Sequence, residues 1–267
     1  MVETCLNYGK PVNDNYCGNC GQKKYCRIDR KYILVELEDT ILQTNKGFLY
    51  SIKRIVVNPG KTAKEFIRGS RINHYKPILL AFLLSGISAF ISFKIIGLKE
   101  ITEEFYTKQQ MSSQFMIDYL SFASSYNSLI MLSLIPFLAI VTKMAFRKWG
   151  DNYYEHIIMN AYILSFYLIL NIVIIYPSMY FLKGDPDFIV QLSSLSILIV
   201  PIIMIWFYKG YYLEKSFKRI ISRVLLIILI ILIAFFFLLI ASIIGGFIFA
   251  MIKGPEALDA IEYIKPQ

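Results

Sequence analysis

The groups best suited to chemistry in this 267-residue chain are its four cysteines, all within residues 1–26. Cys17-Gly-Asn-Cys20-Gly21 sets two thiols three positions apart, close enough to grip one ion, and the glycine permits the tight turn that follows. Cys5-Leu-Asn-Tyr8-Gly9 has the same form with tyrosine in the second ligand slot. Three thiols stay in register across this small ribbon, and Cys26 is the candidate to complete a tetrahedron. Cys5, Cys17, Cys20 and Cys26 are therefore the expected zinc ligands. The competing reading is a ribbon that keeps its turns without metal. The second chemical candidate is Glu155-His156, adjacent titratable residues at the head of an apolar stretch. They lack the His-Glu-x-x-His order of a zinc peptidase helix, because residue 160 is Asn. Glu155 and His156 are read as structural or ligand-contact residues, and no catalytic residue is assigned.

The elements that position these groups are set by lipid. Hydrophobic residues make up 56% of the chain and the mean hydropathy is +0.53, more apolar surface than one water-soluble core can hide. Crossing the hydrocarbon layer takes about 20 mostly apolar residues in a helix, since each backbone amide there must be satisfied within its own segment. Five stretches qualify, at about 78–97, 127–146, 157–182, 188–208 and 224–252. The expected fold is an all-α integral membrane protein. Residues 1–26 form a ribbon head, 27–77 amphipathic helices, 78–252 the five-helix transmembrane domain and 253–267 a short tail. Between the first two spans, residues 99–125 read as a helix folded back on the outer surface.

Positive charge sets the expected orientation. Placing 1–77, 143–155 and 209–223 on one side gathers 22 of the 28 Lys and Arg residues there. The amino terminus is then cytoplasmic and the carboxyl terminus extracytoplasmic, in the plasma (inner) membrane. The first 30 residues contain no apolar run of signal-peptide length, so the head is expected to be retained in a reducing compartment, where closely paired thiols more often hold metal than form disulfides. Basic and apolar residues alternate from Gly47 to Lys76, which fits interfacial helices on anionic lipid, with Pro59-Gly60 as a break and Arg71 as a contact residue. A solvated positive flank is the plainer reading, and nucleic acid the least favoured partner. His74, beside Arg71 and Lys76, reads as interfacial.

The ordered set Tyr16-Cys17-x2-Cys20-Gly21-Gln22, Arg27-Ile28-Asp29, Gly47-Phe48, Pro59-Gly60-Lys61, Glu65-Phe66-Ile67-x-Gly69-x-Arg71 and Tyr153-x-Glu155-His156 resembles an uncharacterised bacterial membrane-protein family. Members of that family join an amino-terminal zinc ribbon to several spans. The resemblance implies architecture, and no activity comes with it. Tyr8 departs from the family's usual ribbon cysteine.

Ionisable residues at membrane depth mark most ion and proton pathways, and the centres of these spans carry none. Asn160, Asn171 and Gln191 are the deeper polar groups. Function is accordingly read as a non-enzymatic membrane scaffold or adaptor whose cytoplasmic head docks a protein partner or the membrane surface. The alternative is a permease for an uncharged or lipid-like solute. A third class, a lipid-modifying enzyme using Glu155 and His156, would need a pocket facing the headgroups.

Overall fold

The computed structural model describes residues 3–12, 15–22, 28–30, 32, 47–109, 114–182 and 185–253. Cys26 and most of the expected helix after Asp29 lie outside the described residues. At the edge of that segment, Asp29 accepts a hydrogen bond from the Tyr32 amide at 2.8 Å.

Two short strands, β1 (Glu3–Thr4) and β2 (Pro11–Val12), pair antiparallel in the ribbon. Helices make up nearly all the rest. Among the helices whose full extent is described, α1 (Phe48–Val57) and α2 (Pro59–Ile67) lie ahead of the spans. Asn58 separates them in an extended conformation, and its side chain accepts from the Lys61 amide at 2.9 Å, starting α2 afresh at Pro59.

The first span joins α3 (Pro77–Ala89) to a π-helical turn at Phe90–Ile96, closed by Gly97 with φ 77°. Two outer helices follow, α4 (Leu98–Lys108) and α5 (Gln114–Ser125), and then α6 (Asn127–Ala145), the second span. The third span is α7 (Tyr153–Leu170), a π turn at Asn171–Ile175 and α8 (Tyr176–Phe181). The fourth is α9 (Pro186–Leu198) and α10 (Val200–Tyr211), broken ahead of Pro201, whose ring cannot donate to the ladder. The fifth is α11 (Phe217–Lys253).

Among the described residues five helices are thus long and apolar enough to cross a membrane, and the chain is an all-α integral membrane protein. The third span is the central one: 61% of its most apolar window is buried, against 11% for the fifth. It starts at Tyr153, four residues earlier than hydropathy places it, because Asn152 and Glu155 form a reciprocal capping box. Just ahead of the first π turn and just after the second, the Ser88 and Tyr176 hydroxyls stand 2.6 Å apart and tie the first span to the third.

The apolar face of α2 is packed on protein. Gly60, Thr62, Ala63, Phe66 and Ile67 are buried where α2 crosses α7 and α10. The crossing is close because both helices present glycine: a Cβ at Gly60 would stand 1.9 Å from the Phe207 carbonyl oxygen, and one at Gly210 would stand 2.4 Å from Asn58 Oδ1. Phe66 meets Tyr162 with ring centroids 6.1 Å apart, joining α2 to the main core of Phe146, Tyr162, Phe207 and Tyr208.

Candidate metal centre and its seat on the bundle

The ribbon is two copies of one turn. In the first, the Gly9 amide donates to the Cys5 carbonyl at 2.7 Å and the Cys5 amide to Lys10 at 2.8 Å. In the second, Gly21 donates to Cys17 at 2.8 Å and Cys17 to Gln22 at 2.7 Å. Gly9 and Gly21 both have φ 67°, the left-handed conformation that each turn needs.

These turns bring Cys5, Cys17 and Cys20 together, their sulfurs all within 4.8 Å of one another and those of Cys5 and Cys20 3.6 Å apart. Zinc–sulfur bonds of about 2.3 Å in a tetrahedron demand sulfur separations near 3.8 Å, so the three thiols fit a metal ion. The Asn19 and Cys20 backbone amides hold the Cys17 thiol down at about 7. Tyr8 occupies the slot equivalent to Cys20 and is 59% exposed. Cys26, the remaining expected ligand, lies outside the described residues.

The ribbon sits against the loop after α2. The Gln22 side-chain amide donates to the Gly69 carbonyl, and Asn7 bridges Gln22 and the Ser70 hydroxyl at 2.5 and 2.7 Å. Arg71 is committed locally: its guanidinium donates to the Phe66 and Ile67 carbonyls at the end of α2 and lies 4.3 Å from the Tyr32 ring centre. His74 is enclosed, not interfacial as the sequence suggested. It packs edge-on to Tyr50 and Phe66, and burial holds it down at about 4. Its Nδ1 has no hydrogen-bond partner among the described residues.

Glu155 and His156 are adjacent in sequence but occupied differently. The Glu155 carboxylate accepts from the Asn152 amide at 2.6 Å, closing the helix cap. The Asn152 side chain in turn donates to the Ile28 carbonyl at 2.8 Å, fastening the head's exit to the third span. His156 is fully buried, near-parallel to Phe146 at 6.3 Å, with neither ring nitrogen partnered among the described residues. Asn160 donates across to Thr142 Oγ1 on α6 at 3.0 Å, Asn171 donates to its own helix at Tyr167, and Gln191 is exposed.

Asp151, absent from the candidates drawn from sequence, anchors this end of the bundle. Its two oxygens accept from Tyr211 and Tyr212, each at 2.7 Å. Successive residues on a helix point about 100° apart, so both can reach one carboxylate only where the helix stops, and Tyr212 has left helical geometry. Sixty residues of chain separate these partners, and no local pattern announces them.

What these features define is a multi-pass, all-α membrane protein with a ribbon seated on one end of its bundle. A family profile described as a protein of unknown function (DUF3667) matches residues 45–89, which cover α1, α2 and the whole of α3. No curated protein and no solved structure matches the chain.

Proposed function

We propose that the protein is a non-enzymatic membrane scaffold whose head binds zinc and presents a docking surface in the cytoplasm. The observation that carries this reading is the two-sidedness of the ribbon. Asn7 and Gln22 hold one side against the bundle, while Leu6, Tyr8 and Tyr16 stand 55%, 59% and 57% exposed. Tyrosine supplies large contact area with few rotatable bonds, as recognition surfaces need. Zinc on Cys5, Cys17 and Cys20 would cross-link the two turns that display these side chains. The charge asymmetry supports a cytoplasmic head, and Glu155, engaged in a helix cap, supports a structural rather than catalytic role.

The test is metal analysis of the purified full-length protein, coupled to photo-cross-linking from the Leu6 position in cells. One zinc per chain and a discrete protein adduct, both lost in a Cys17→Ser/Cys20→Ser variant that still inserts, are the expected results. Metal-free protein with an adduct unaffected by the two substitutions would overturn the zinc-dependent head.

A further inference from the structure

On the ribbon-bearing face, two other turns meet: residues 146–149 after α6 and residues 212–216 ahead of α11. Trp149 packs edge-on to Tyr212 with centroids 4.6 Å apart, and Lys215 Nζ lies 5.5 Å from the centre of the Trp149 ring. At the other end of the contact, Arg223 donates to the Ala145 carbonyl at 3.1 Å. Lys215 and Arg223 therefore bracket the 145–149 turn. Within α11, Arg219 lies one turn ahead of Arg223 on the same face, which sets it towards the turn that carries Arg147 and Lys148. Arg147, Lys148 and Arg219 are all exposed.

The acids nearest in sequence are already engaged. Asp151 accepts from two tyrosines, Glu214 pairs with Lys64 at 3.6 Å, and Glu155 caps its helix. Among the described residues Arg147, Lys148 and Arg219 make no ion pair, while Lys215 also draws on Glu214. Exposed apolar residues lie beside them in the chain: Met144, Leu213 and Phe217 are 55%, 64% and 53% exposed. Trp149 and Tyr212 are the residue types that settle at headgroup depth.

We infer that Arg147, Lys148, Lys215 and Arg219 form a binding site for the phosphate of an anionic phospholipid, whose acyl chains run beside Met144, Leu213 and Phe217. A free phosphate would satisfy the cations and leave the apolar rim unused, which is why a lipid is the favoured ligand. This site is separate from the ribbon and does not depend on zinc.

The experiment uses the full-length protein in phosphatidylcholine nanodiscs doped with phosphatidylglycerol, with retained lipid counted by native mass spectrometry after release. The wild type should retain phosphatidylglycerol selectively. An Arg147→Gln/Lys148→Gln/Arg219→Gln variant should bind it at least about tenfold more weakly, given a contribution of about 1 kcal/mol per basic residue near an anionic surface. A Lys10→Gln variant, which alters an exposed lysine of the ribbon outside the basic 47–76 segment, should match the wild type. Equal loss in both variants would reveal only a diffuse positive flank and would overturn the site. So would displacement of the lipid by millimolar inorganic phosphate, or retention unchanged in the triple variant. The substituted side chains are exposed, and an unaltered melting temperature in plain phosphatidylcholine confirms that the variant is folded.

Discussion

Replacing Gly60 with Ala separates two physical effects that point in opposite directions. Judged as a helix residue, alanine should gain up to about 1 kcal/mol over glycine. Judged by packing, the added Cβ would stand 1.9 Å from the Phe207 carbonyl oxygen and 2.7 Å from the Tyr211 nitrogen, both rigid backbone atoms. An ordinary contact begins near 3.4 Å, so α2 and α10 would have to part by about 1.5 Å. Thr62, Ala63, Phe66 and Ile67 would all lose fit together, because they share that face. Overpacking of this kind costs about 1–3 kcal/mol. We expect a net loss of about 2 kcal/mol, or a melting temperature lower by roughly 4–8 °C, read by thermal unfolding of the detergent-purified protein. Gly86→Ala is the internal control: its Cβ would meet nothing within 4 Å, and stability should hold or rise slightly. A Gly60→Ala protein as stable as Gly86→Ala would refute the close crossing.

Three further outcomes follow from the same junction. Asp151→Ala strands two tyrosine hydroxyls and should cost about 3 kcal/mol, and adding Tyr212→Phe should cost less than the sum of the single changes, as a double-mutant cycle in denaturant would show. For His74, burial places the folded-state value near 4 against 6.5 in the unfolded chain. The unfolded chain therefore takes up the proton first, so stability is full above pH 6.5 and declines as pH falls toward 4, by at most about 3 kcal/mol. His74→Phe, which keeps an aromatic ring between Tyr50 and Phe66, should flatten that part of the pH profile, and an unchanged slope would remove His74 as its source.

The spans were legible because lipid imposes a simple rule on composition: the sequence finds all five, the first four to within about four residues, while the fifth helix starts at Phe217, ahead of the expected 224. The earlier start of the third came from Asn152-x-x-Glu155, a capping signal present in the sequence, where Glu155 reads only as a structural or ligand-contact residue beside His156. The glycine-marked ribbon turns were legible for a similar reason: they are local. What surrounds α2 was not. Its alternation of Lys61, Lys64 and Arg68 with Ala63, Phe66 and Ile67 specifies an apolar face, and periodicity alone does not say whether lipid or protein covers it. The Gly60–Gly210 crossing, the Asp151 anchor and the Gln22–Gly69 contact all join segments far apart in the chain. Several residues that carry the resemblance, among them Gln22, Ile28, Gly69 and Glu155, lie at the seat of the head on the bundle.

The final helix has a mechanical consequence of its own. Its first turns carry Lys218, Arg219 and Arg223, and the apolar part that follows, residues 224–252, extends about 43 Å against the roughly 30 Å depth of a bilayer's oily interior. Beyond its first turns it leans on few neighbours, so it can accommodate that excess only by slanting or by drawing lipids up around it. Host-membrane thickness thereby becomes a setting for the posture of this rod. Because the rod is rooted by Arg223 beside the 145–149 turn, a change in its slant would be felt first at the end of the molecule where the ribbon sits.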